Sequence, residues 1–161
     1  MPEILLDPNS AFVPLTGPAT ITSVSGTPSY KRIDFNDTFT QNADWIFKHD
    51  QYYDSGNMYL DIYWMAASAT SGSVVWGTLI RGVSVADGFA GGPSLSWSIT
   101  SATDTTAAGN LNKATITITS PGLSPAQIIQ LWLRRVPGDA GDNMTGDAHF
   151  LFASLRYTVS G

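Results

Sequence analysis

The chain has no cysteine, two histidines, one glutamate and eight lysines and arginines in 161 residues. Each scarcity removes a class of protein. Without cysteine there is no disulfide framework and no thiolate metal site, so core packing or partner subunits must hold the fold. His49 and His149 stand far apart, with no H-x-x-x-H or H-x-H spacing, and a zinc site lacks ligands of the right type. The single glutamate, Glu3, lies in a Pro-rich segment, and most of the aspartates fall in turns or at outward strand positions, so nothing points to the buried pair of carboxyls that a glycosidase sets across a cleft. No nucleophile elbow, P-loop or dinucleotide fingerprint occurs. We therefore expect no enzyme and no cofactor.

Charge is scarce as well. Charged residues make up 13% of the chain, about half the usual share. The net charge is −5 and the few basic residues are scattered, so the clustered cations that track phosphates are missing and nucleic acid is not an expected partner. No apolar run approaches the ~20 residues that span a bilayer. The opening MPEILLDPNSAFVPL has neither a basic n-region nor a long h-region, and we expect no signal peptide and no membrane partner.

What the chain does have is alternation. Ile33 and Phe35, then Leu60, Ile62 and Trp64, then Leu95, Trp97 and Ile99, then Ala114, Ile116 and Ile118, then Ile129, Leu131 and Leu133 each recur every second residue against polar neighbours. Leu151, Ala153, Leu155 and Tyr157 close the series. This period marks half-buried antiparallel strands. Turn residues separate the runs at 54–57, 70–73, 91–93, 108–110 and 121–122. The pattern predicts an all-β antiparallel sandwich of jelly-roll type with about eight strands, Trp64 and Trp97 facing inward.

Residues 1–30 read differently. Five of the nine prolines fall there, interrupting short apolar pieces. Proline removes ladder donors and favours extended backbone, so we expect an extended arm over residues 1–30 and a sandwich domain over 31–161. Ile4, Leu5, Leu6, Phe12 and Val13 are the arm's candidates for binding a partner.

Two further features invite a functional reading. The aromatic residues are those of a sandwich core, a subunit contact or a sugar-stacking platform; Trp132, which alternates outward with Gln130 and Arg134, is the best exposed candidate, followed by the Tyr52–Tyr53 pair. The segment RRVPGDAGDNMTGDAHF, residues 134–150, gathers Arg134, Arg135, Asp139, Asp142 and Asp147. Its oxygens are of the type that calcium takes, but the EF-hand spacing and its bidentate glutamate are absent. We expect instead a Gly-punctuated connection whose aspartates pair with Arg134 or Arg135 and cap backbone N–H groups.

The succession Trp64-Met65-Ala66, Val74-Val75-Trp76, Arg134-Arg135, Asp139, Asp142-Asn143, Gly146-Asp147-Ala148 and Tyr157 resembles a group of small β-sandwich structural proteins of tailed bacteriophages, over about residues 33 to 159. Members of that group commonly read Asp-Thr where this chain has Asp142-Asn143-Met144-Thr145. The resemblance implies a virion protein made in the host bacterial cytoplasm: a homotrimer on the capsid surface that decorates and stabilises the major capsid protein shell, with no catalytic residue. The Pro-rich arm would contact the capsid, and Tyr63 and Trp132 would be buried between subunits. The alternative is a receptor- or glycan-binding module of a tail or head fibre.

Overall fold

The computed structural model describes residues 1–48, 50–88, 97–100, 103–125 and 127–160. His49, the expected turn at 91–93 and the first half of the SLSWSIT run lie outside the described residues. Twelve strands form: β1 (Glu3–Leu6), β2 (Thr20–Val24), β3 (Tyr30–Phe35), β4 (Asn42–Lys48), β5 (Tyr53–Ala66), β6 (Ser73–Val74), β7 (Trp76–Val83), β8 (Ser98–Ile99), β9 (Thr103–Asp104), β10 (Asn112–Ile118), β11 (Ile128–Arg135) and β12 (Ala148–Val159). All pair antiparallel. A larger sheet runs β10-β5-β12-β3-β2, with β1 also on β12, and a smaller one runs β4-β11-β7-β8; β6 and β9 make a separate pair. Among the described residues there is no helix, and the chain is an all-β sandwich as its periodicity predicts.

The alternating residues form the core. Leu60, Ile62, Trp64, Ile116, Ile129, Leu131 and Leu133 have no exposed surface. Aromatic rings join the two sheets: Phe35 of β3 meets Trp76 of β7 edge-on with centroids 5.3 Å apart, Trp64 of β5 meets Trp76 at 6.1 Å, and Trp45 of β4 meets Phe150 of β12 at 5.4 Å. Offset and edge-on pairs of this kind add roughly 1 kcal/mol each to the burial of the rings themselves.

Three expectations need correction. The strand count exceeds eight, because three strands are only two residues long and two more come from the N-terminus. The turn residues Asp54-Ser55-Gly56-Asn57 do not end a strand. They sit inside the 14-residue β5 as a local irregularity, with Ser55 at φ 64° and the Asp54 carboxylate accepting the Gly56 N–H at 2.8 Å. In β12 the alternation slips at Leu151. Phe150 pairs with Trp64 and Phe152 with Tyr63, so Leu151 is the extra residue of a bulge; Phe150 and Ala153 face inward and Phe152 outward.

The N-terminal segment is extended, but it is woven into the sandwich and makes no free arm. Leu5 pairs with Ser154 and Leu6 with Ala153, while β2 lies against β3. Between them, Phe12 exchanges both backbone hydrogen bonds with Asp44 (2.7 and 2.8 Å), and Asn42 bonds Gly17 and Ala19. The Trp45 indole N–H donates to the Asp7 carbonyl at 3.0 Å. Proline spacing left enough free N–H groups between the breaks for these short pairings.

Candidate functional site

The site is built on the outward side of the smaller sheet. The stretch NADWIFK alternates in β4: Ala43 and Trp45 are buried in the core, so Asn42, Asp44, Ile46 and Lys48 point the other way. Register then sets their neighbours. Trp132 of β11 lies between Asp44 on one side and Leu79 of β7 on the other; Gln130 lies between Ile46 and Arg81, and Arg134 between Asn42 and Gly77. Beyond β4, Phe12 is paired with Asp44. One line across the sheet therefore reads Phe12, Asp44, Trp132, Leu79. Neighbouring strands are ~4.8 Å apart, which puts the two aromatic residues on the order of 10 Å from each other.

Phe12 is 58% exposed and Trp132 is half-buried. The Arg81 guanidinium stands 5.7 Å over the Trp132 ring and bonds the Gln130 side-chain carbonyl through its Nε. The Arg134 guanidinium lies 3.8 Å from the centre of the Trp97 ring. Gly77 opposite Arg134 leaves room for this, since a Cβ there would lie in tight contact, 3.3 Å, with the Arg134 Nε and the Val136 side chain. Burial pushes the Asp44 carboxyl up to about 6, against the lowering effect of a hydrogen bond from the Trp132 side chain. The Asp44 Oδ1, the Asn42 Oδ1 and the Arg134 Nε are enclosed without a hydrogen-bond partner among the described residues. The surface thus combines flat apolar rings with amide, carboxylate and guanidinium groups. Such a set stacks on the C–H face of a sugar ring while bonding its hydroxyls.

The other candidates fall elsewhere. Leu6 is buried at 2% and Ile4 packs on the core, so neither is available to a capsid; Leu5 and Val13 are exposed. Tyr63 faces outward on the opposite sheet, stacked on Phe152 at 4.5 Å with the Lys113 ammonium over it. Tyr52 is 58% exposed, whereas Tyr53 is a core residue. Trp97 does not face inward. It is half-buried and meets Arg134, which projects from the outer side. Its outward neighbour Ile99, paired with Gly77, is 48% exposed.

In the 134–150 connection the two arginines part company. Arg135 ends β11 pointing inward, and its guanidinium forms a bidentate pair with Asp142, Nη2 to Oδ1 at 2.7 Å and Nε to Oδ2 at 3.0 Å, both side chains 1% exposed. It also donates to the carbonyls of Met144 and Gly146, and Asp142 accepts the Val75 N–H at 3.0 Å. Asp139 caps the Gly141 N–H, and Asp147 accepts from the Asn36 amide at 3.4 Å. Asp142 is thereby committed to a cation already in the chain. Among the described residues no three His, Asp or Glu side chains converge as a metal site would require. The loop is a structural clamp.

Sequence reading missed Asp44, Asn42 and Arg81 as members of the surface. The signal was present in the period-two pattern of residues 42–48. Phe12, a candidate of the arm for binding a partner, lies instead beside Asp44 on this surface.

No protein-family model and no curated protein matches the chain. Solved structures do. A family 35 carbohydrate-binding module from Clostridium thermocellum superposes with a TM-score of 0.58 at 11% identity, covering 98% of this chain and 100% of the other. The C-terminal family 6 module of LamC, a marine laminarinase from Zobellia galactanivorans, gives 0.50 at 8%, covering 96% and 98%. The family 22 and catalytic modules of xylanase 10B from Clostridium thermocellum, solved with xylohexaose, give 0.51 at 13%, covering 97% of this chain and 27% of that one. The fold is thus one that carbohydrate-binding modules share. These neighbours, together with an N-terminus spent on intramolecular pairing, overturn the expected trimeric capsid decoration protein.

Proposed function

We propose that the protein is a non-catalytic carbohydrate-binding module whose binding surface is the outward side of β4, β11 and β7. The observation that carries this is the line Phe12, Asp44, Trp132, Leu79, in which aromatic rings two strands apart flank a carboxylate. A pyranose presents a C–H face that stacks on an aromatic ring and an edge of hydroxyls that needs planar hydrogen-bonding groups. Trp132 supplies the first, and Asp44, Gln130 and Arg81 supply the second. The spacing of Phe12 and Trp132 suits an oligosaccharide crossing the strands better than a single sugar. The likeness of the fold to modules of the three families named above supports the same reading.

The test is affinity electrophoresis through gels containing soluble polysaccharides, with isothermal titration for those that retard the protein. The wild type is expected to bind at least one. Trp132→Ala, with an unchanged circular dichroism spectrum, is expected to weaken that binding at least about tenfold, since stacking of a ring on an aromatic side chain is worth on the order of 1–3 kcal/mol. Full retention of binding by Trp132→Ala would refute this placement of the site.

A further inference from the structure

Four of the chain's eight lysines and arginines are tied to carboxylates away from the surface just described. Arg32 pairs with Asp34, Lys113 and Arg156 with Asp61, and Arg135 with Asp142. The outward side of the smaller sheet is different: it carries Lys48, Arg81 and Arg134 against one carboxylate, Asp44. Arg134 is the telling residue. Its guanidinium has no carboxylate partner among the described residues, and it is stacked on Trp97. Its Nε is enclosed without a hydrogen-bond partner among the described residues, which leaves the Nη1–Nη2 end to meet a ligand. A guanidinium whose flat face is occupied by an indole keeps its edge donors in plane, ready for the two oxygens of a single oxyanion.

From this we infer that the saccharide taken by this surface is anionic, a pyranose chain bearing carboxylate or sulfate ester groups, with Arg134 as the oxyanion receptor beside the Trp132 platform. The inference rests on the carbohydrate-binding reading and names its ligand class. Gly77 leaves room for the Arg134 side chain over β7, and Asn42 lies opposite it on β4 with its Oδ1 unpartnered among the described residues. General electrostatic attraction is not the cause, because the whole protein carries a net charge of −5 and repels polyanions at long range. Binding of a polyanion by this protein is therefore local.

The experiment compares wild type, Arg134→Lys and Arg134→Ala by titration with polygalacturonate and alginate as carboxylate probes, dextran sulfate as the sulfate probe, and hydroxyethyl cellulose and dextran as neutral ones. The expected result is tighter binding of at least one anionic class than of either neutral chain. Arg134→Ala should weaken it by about tenfold or more, as loss of a charge-assisted hydrogen-bonded pair does. Arg134→Lys, which keeps the charge and the fold, should show a smaller loss. The carboxylate and sulfate arms identify the source of the oxyanion. Neutral chains bound as well as anionic ones, or anionic binding untouched by Arg134→Ala, overturns the inference and leaves the carbohydrate-binding reading standing. Failure of every polysaccharide to bind overturns both.

Discussion

Asp44 is held where a carboxylate is uncomfortable, and replacing it by asparagine should make the protein more stable at neutral pH. Burial raises its pKa from 3.8 to about 6. Each unit is ~1.4 kcal/mol, so the shift sets an upper limit of about 3 kcal/mol. The group retains partial solvent contact, and screening reduces the figure to about 1–1.5 kcal/mol. The sign follows from proton linkage. The folded state binds the proton more tightly than the unfolded chain, so this group's contribution is fully present below about pH 4 and is lost as pH rises through about 6. The Asp44→Asn side chain has no charge to bury, and its carbonyl still accepts the hydrogen bond from Trp132. Urea denaturation followed by tryptophan fluorescence at pH 4, 5, 6 and 7.5 should therefore show the two proteins alike at pH 4. At pH 7.5 Asp44→Asn should lead by about 1–1.5 kcal/mol. A difference that is independent of pH, or a less stable variant at pH 7.5, would refute the reasoning. The same variant should bind saccharide more weakly, the pairing of gained stability with lost function that marks a binding residue.

Two further predictions concern the clamp behind the site. Arg135→Met leaves the Asp142 carboxylate enclosed without its cation and strands the Met144 and Gly146 carbonyls; it should cost about 3–5 kcal/mol in urea denaturation, and a loss under about 1 kcal/mol would mean that the loop does not depend on it. Gly72, at φ 101°, would place a Cβ 2.7 Å from the Met144 Cα, whereas Gly109, at φ 76°, has nothing within 4 Å. Gly109→Ala should therefore cost only backbone strain, about 1–2 kcal/mol, and Gly72→Ala at least about 1 kcal/mol more; equal losses would show that the contact yields freely.

Alternation made the sandwich legible wherever a strand runs straight with one wet face. It failed where physical details break the parity. The bulge at Leu151 puts Phe150 and Phe152 on opposite faces, and no local residue announces it. Turn chemistry at Asp54-Ser55-Gly56 is genuine, but a turn motif reports local backbone and not whether the ladder resumes beyond it. Proline density misled for a related reason: proline forbids individual ladder bonds, while a bridge as short as that of Phe12 and Asp44 needs only one free pair. The candidate surface was half legible. The outward alternation of Trp132 and Arg134 is in the sequence, but their company is not. Asp44 and Phe12 reach Trp132 through pairings that join residues widely separated in the chain, and only the register brings them into line.

The polar atoms left without partners tell where this protein gives up stability. Enclosed polar groups without hydrogen bonds are few in native proteins, and each costs about 1–3 kcal/mol. Among the described residues there are six such side-chain atoms, and three of them, Asn42 Oδ1, Asp44 Oδ1 and Arg134 Nε, share the outward side of the smaller sheet. The indole N–H groups of Trp64 and Trp76 belong to the core instead, where ring burial outweighs their loss. The outer residues have no comparable ring burial, and threonine would suit those strand positions. On the opposite sheet the equivalent outward groups are satisfied: Asp61 bonds Arg156, Lys113 and Thr115 together. One side of the sandwich has completed its polar network internally, and the other leaves atoms of Asn42, Asp44 and Arg134 unpartnered beside its aromatic rings. That asymmetry suits the binding side proposed above, because hydrogen bonds already closed within the protein have nothing left to offer a sugar.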